Sequence, residues 1–160
     1  MHGTRGHTLV ELLVVVAIMM VLAAIAMPAA NHGPDRQLDT TQLALQDALD
    51  HAQSLATSTA AIYGVRFDAT GDWFAVVDST GQPVDDPLEH AAYLVTLSEP
   101  GEPNGVLIDS ADFGGYPVAV FNEKGVMHIS GQVHLSCGAT ERWLEVDTAT
   151  AALSEIPVED

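Results

Sequence analysis

One acid stands where acids are costly. Glu11 lies in the run GHTLVELLVVVAIMMVLAAIAMP, Gly6 to Pro28, and its neighbours from Leu9 to Met27 are otherwise apolar. An ionised carboxylate at the centre of a membrane helix costs about 2.5–3.5 kcal/mol, and less near an end, so such an acid calls for a positive partner. The rest of the chain offers weaker chemistry. His128 and His134 flank Gly131 symmetrically, as two metal ligands across a hairpin would. Asp68 and Asp72 share the DATGD segment, and Asp85 and Asp86 share VDDP, but the EF-hand spacing is absent. Surface histidines and solvated turns are the simpler expectation, and no metal or other cofactor is expected. The chain has no G-x-S-x-G elbow, no H-E-x-x-H and no phosphate-binding glycine loop, which argues against an enzyme.

The element that must position Glu11 is a helix. At about 1.5 Å per residue, about twenty helical residues cross the roughly 30 Å hydrocarbon core, and Leu12 to Met27 with its flanks fits that length. A cleaved signal peptide would use Arg5 as its basic region and Ala24-Ile25-Ala26 as its cleavage site. A plain anchor is the other ordinary reading. Neither uses Glu11.

The string Gly6-His7-Thr8-Leu9-Val10-Glu11-Leu12 resembles the processing site of type IV pilin-like proteins. These carry a short basic leader ending in glycine, then a T-L-x-E-L block that opens a long apolar helix. The resemblance implies cleavage by a prepilin peptidase between Gly6 and His7 and N-methylation of His7, where the family usually has phenylalanine. The family's glutamate, fifth after the cut, falls on Glu11, and its helix-kinking proline falls on Pro28. Cleavage would create an α-amino group with a reference pKa of about 8, a positive partner for Glu11. The resemblance implies that this pairing joins neighbouring subunits. A dry ion pair is weak evidence for stability and better evidence for register, so Glu11 is expected to set assembly.

Composition bounds the remainder. The chain has 160 residues, a net charge of −17 and a single cysteine, Cys137. No internal disulfide can form, and burial is the expectation for Cys137. After the leader the strong cations are Arg36, Arg66, Lys124 and Arg142, too few and scattered to neutralise phosphates, so no nucleic-acid partner is expected.

Beyond the anchor, Gly33-Pro34 predicts an interruption, and apolar spacing of three and four residues predicts an amphipathic helix over Gln37 to Ala56. Its polar residues Asp39, Gln42, Gln46, Asp50 and Gln53 read as a solvated face. Nine strands are predicted: Ala60–Phe67, Trp73–Asp78, Ala92–Ser98, Val106–Asp109, Val118–Asn122, Val126–Ser130, Gln132–Cys137, Arg142–Asp147 and Ala152–Ile156. The glycine-rich DSADFGGYP loop, Asp109 to Pro117, is the expected exposed contact surface. The expected fold class is α+β, a long amino-terminal helix packed on a mainly antiparallel sheet domain. The boundaries are a leader at 1–6, a membrane or filament-core helix at 7–30, a kink and amphipathic helix at 31–56, and a β-rich head at 57–160.

This order of elements resembles the H-type minor pseudopilins of type II secretion and the FimT-like group. Asp47 to Asp68, Val118 to Leu135 and Glu141 to Ile156 carry that looser resemblance. It implies a non-enzymatic subunit of a type II secretion pseudopilus, whose partners are other pilins or pseudopilins, the prepilin peptidase and an inner-membrane assembly platform. Arg5 in the leader implies a cytoplasmic amino end and a periplasmic domain on a bacterial inner-membrane anchor. The competing readings are a minor pilin of a type IV pilus and a membrane-anchored binding domain that never assembles.

Overall fold

The computed structural model describes residues 33–86, 91–97 and 105–157. Helix α1 spans Pro34–Thr59. It starts on a proline, whose missing N–H falls where no intrahelical partner exists, with Asp35 in the first turn facing the positive end of the helix dipole. Leu38, Thr41, Leu45, Ala48, Leu49, Ala52 and Ala56 form one buried stripe. The helix ends three residues later than its apolar spacing predicts. The hydroxyls of Thr57, Ser58 and Thr59 donate to carbonyls of the preceding turn, and Ala60 turns left-handed at φ 52°. The Ala61 N–H then donates back to the Ala56 carbonyl at 3.3 Å, closing the terminus as a Schellman motif does.

Eight strands follow: β1 Tyr63–Asp68, β2 Trp73–Asp78, β3 Leu94–Thr96, β4 Leu107–Asp112, β5 Val118–Phe121, β6 Gly131–Cys137, β7 Thr140–Val146 and β8 Leu153–Ile156. They form two four-stranded antiparallel sheets, ordered β3-β2-β1-β5 and β4-β6-β7-β8. Side chains alternate across each strand, so Val65, Phe67, Phe74, Val76, Ala119 and Phe121 of the first sheet face inward. Val133, Leu135, Leu144 and Val146 do so from the second, and both sets meet the stripe of α1 in one core cluster. The architecture is the expected α+β class, with the β region divided into two sheets that share one helix.

Two sequence expectations fail locally. Val126–Ser130 is not a strand: only Met127 bridges, to Phe121, and its N–H donates to the Thr148 carbonyl. The apolar side chains Val126 and Ile129 stand three apart rather than alternating, and both are exposed. Ser110 to Asp112, expected in the contact loop beyond a strand ending at Asp109, belong to β4. A register shift between Ile108 and Ser110 separates the two halves of that strand.

The polar flank of α1 is solvated only in part: Asp39 and Asp50 are exposed, whereas Gln42, Gln46 and Gln53 are half-buried. Gln46 accepts the Leu153 N–H at 2.9 Å and donates to the Ala151 carbonyl at 3.1 Å. Gln53 donates to the carbonyls of Gly125 and Ala149. Arg142, from the inner side of β7, donates to Asp39 at 2.7 Å and to Gln42 at 3.1 Å. These bonds fasten the helix to the second sheet and its turns. At the other edge, the Asp72 carboxylate accepts the Ile108 N–H and its carbonyl accepts the Leu97 N–H, tying the β1–β2 turn to β4 and to the end of β3.

Candidate functional site

The predicted processing and register residues Gly6, His7, Glu11 and Pro28 lie outside the described residues. No described helix is long and apolar enough to cross a membrane.

Within the described part, a groove of about 550 Å³ lies on the face of the first sheet that points away from α1. Its floor follows from register. Gly64 of β1 stands between Val77 of β2 and Val120 of β5, and Arg66 stands between Ala75 and Val118. At Gly64 a Cβ would fall 2.5 Å from the Ala119 carbonyl oxygen, so the trough needs glycine where β1 and β5 approach. Ile62, Tyr116 and Ile129 rise around this floor, with Tyr116 72% and Ile129 54% exposed.

The loop expected as a contact surface supplies one wall through its second half. Phe113 turns inward, 4% exposed and stacked on Phe67 at 5.6 Å between ring centroids. Its N–H donates to the Tyr116 carbonyl, Gly114 and Gly115 both adopt positive φ, and the Gly115 N–H donates to the Asp112 carboxylate at 2.6 Å. This tight turn buries one aromatic and projects the other.

Two charged groups line the groove. Arg66 lies with its guanidinium carbon 5.7 Å from the centroid of the Trp73 ring, a cation–π arrangement. Asp78 is committed to its own turn. Its Oδ1 accepts the Thr80 hydroxyl at 2.7 Å and the N–H groups of Thr80 and Gln82, and these bonds hold its carboxyl below the ordinary value of 3.8.

The structure does not bring the candidate metal residues together. His128 lines the groove, whereas His134 of β6 stacks on Trp143 of β7 at 4.0 Å between centroids. Asp109 and Glu141 lie 3.7 and 3.4 Å from its two ring nitrogens, and Nε2 is buried without an aligned hydrogen-bond partner. Asp68 accepts the N–H groups of Thr70 and Gly71 as a turn residue. Asp85 bridges to Ala92, and the Asp86 N–H donates to the Ala91 carbonyl. Among the described residues no three His, Cys, Asp or Glu side chains converge as a metal site would require. Cys137 is buried, its thiol donates to Gln37 at 3.0 Å, and burial pushes its pKa up, which suppresses the reactive thiolate.

Residues 1–27 match the family described as the prokaryotic N-terminal methylation motif. No curated protein matches the chain significantly. Among solved structures, two crystal forms of the Pseudomonas aeruginosa type IV minor pilin FimU are similar. The P21 form shows 15% identity over 77% of this chain and 90% of that chain, with a TM-score of 0.49. The P65 form shows 13% identity over 74% and 92%, with a TM-score of 0.48.

Proposed function

We propose that this chain is a pilin-like structural subunit, cut after Gly6, methylated on His7 and assembled into a filament through the helix that carries Glu11. The observation that carries this reading is the N-terminal methylation motif over residues 1–27. Physical chemistry supplies the reason for the motif. The cut converts a peptide nitrogen into a charged amine, and that amine is the partner a carboxylate in an apolar helix needs. A subunit entering at the wrong stagger would leave Glu11 or an amine unpaired in a dry environment, so the pair selects register.

The chain is thus read as held in a bacterial inner membrane by residues 7–30, with its α+β domain on the periplasmic side. Prepilin peptidase, an assembly platform and neighbouring subunits are its partners. The many short strands behind one helix suit a minor subunit of such a filament, either a minor pseudopilin of a type II secretion pseudopilus or a minor pilin of a type IV pilus. Among the described residues, Cys137 is buried and no three His, Cys, Asp or Glu side chains converge.

Replacement of Glu11 tests the reading. Glu11→Ala should leave processing and membrane insertion intact and should abolish recovery of the subunit in sheared filament fractions. Assembly of Glu11→Ala at the wild-type level would refute the register role.

A further inference from the structure

Arg66, in the groove of the first sheet, is exposed and forms no ion pair among the described residues, although the chain carries 22 acids. The side chains around it are apolar. Val118 of β5 stands directly across the ladder from Arg66, Val120 lies two residues farther along β5, and Ile62, Tyr116 and Ile129 rise around them. Asp78, the acid at the other end, is occupied by donors of its own turn. Side chains directly across an antiparallel ladder have Cβ atoms about 4.5–5.5 Å apart, and diagonal ones about 7–8 Å. A surface that fits this groove therefore offers an apolar side chain and a free carboxylate at about that spacing.

Helix α1 presents such a pair on its outer side. Leu43 is 68% exposed and lies opposite the buried stripe of Leu38, Leu45, Leu49 and Ala52. Asp47, also exposed, follows one turn later, where the Cβ atoms of i and i+4 residues are about 5–6 Å apart. It forms no ion pair among the described residues. Asp39, one turn before Leu43, is already held by Arg142 at 2.7 Å. Leu43 and Asp47 thus match the spacing of the two valines and Arg66. Within one copy they cannot meet the groove, because the inner face of the first sheet packs on α1 and the groove lies on its other face.

We propose that the outer face of α1 in one copy docks in the groove of a second copy, with Leu43 against Val118, Val120 and Ile129 and Asp47 on Arg66. Copies of a chain with a net charge of −17 repel, and a cation set among apolar side chains is where that repulsion is locally reversed. The contact is heterologous, helix to groove. It leaves a free helix face at one end and a free groove at the other, so it repeats along an open array. The inference rests on the filament reading, because one leucine and one ion pair bury far less than the roughly 1,200 Å² of a stable complex and need copies already tethered side by side.

Cysteine pairing in the full-length chain in its native membrane tests the contact. The double variant Leu43→Cys/Ile129→Cys should give a ladder of linked multimers on oxidation, and the two single variants expressed together should stop at dimers. Wild type, whose one thiol is the buried Cys137, sets the blank. Arg66→Asp in the double-cysteine chain should lower the linked yield about tenfold, and adding Asp47→Arg should restore it, which a merely misfolded Arg66→Asp chain would not allow. Leu43, Asp47, Arg66 and Ile129 are all exposed, so none of these changes removes a core contact. A double variant that stays monomeric overturns the proposal. So does a yield indifferent to Arg66→Asp, or linkage to a different protein in place of the ladder. A chain that begins at His7 and assembles in a Glu11-dependent way, yet gives no ladder, removes the helix-to-groove contact alone. A ladder from a chain that is never processed keeps the contact and removes the filament reading.

Discussion

Asp78 and Asp147 close their turns in the same way, each with one carboxylate oxygen gathering a hydroxyl and two backbone N–H groups. Asp147 accepts from the Thr150 N–H, the Thr150 hydroxyl and the Ala149 N–H at 2.8–3.0 Å. The Thr80 hydroxyl chiefly lowers the Asp78 pKa, and the Thr150 N–H chiefly lowers that of Asp147, both from 3.8. A carboxyl held low in the folded state stabilises the fold above its unfolded value, and that contribution disappears as pH falls through the folded value. We predict that Asp78→Asn/Asp147→Asn lowers the urea midpoint at neutral pH, and that the gap from wild type narrows below about pH 4 and closes in stronger acid. A gap that stays constant down to about pH 2 would contradict the assignment. At this scale the sequence was informative: Asp followed two or three residues later by Thr or Gly signals such a turn. It was silent on Arg66, because a lone arginine on a strand looks the same whether its guanidinium meets an acid or an aromatic ring.

The helix shows where sequence patterns reach their limit. Its buried stripe was legible because apolar side chains must recur at helical spacing to meet a core. The fastening of its flank was not, since Gln42, Gln46 and Gln53 have the composition of a wetted surface, and only the fold brings β8 and the turn at 147–152 beside them. Truncation of Gln46 should therefore cost more than a surface change. Gln46→Leu leaves the Leu153 N–H and the Ala151 carbonyl without that partner, and we predict a loss of about 1–3 kcal/mol in urea unfolding. A change within about 0.5 kcal/mol would show that water replaces the glutamine freely. The misread strand at Val126–Ser130 has a similar origin. Its β-branched residues satisfy strand propensity, but propensity reports fit to a half-buried surface, and Val126 and Ile129 are both exposed and pair with no strand. Ile129 instead becomes a wall of the groove.

For the whole molecule, two sheets share one helix, and the outer face of the first carries a groove with apolar walls. The fold class was readable from the switch between helical and two-residue periodicity. The division into two sheets was not, because partner choice among strands depends on long-range packing that single strands do not encode. The functional reading depends on the other end of the chain, where residues 1–27 carry the methylation motif. The most direct test is mass spectrometry of the amino terminus of the mature protein isolated from membranes. The account predicts a chain that begins at His7 and is heavier by one methyl group. A mature chain beginning after Ala26, or one that retains Met1 to Gly6, would contradict it.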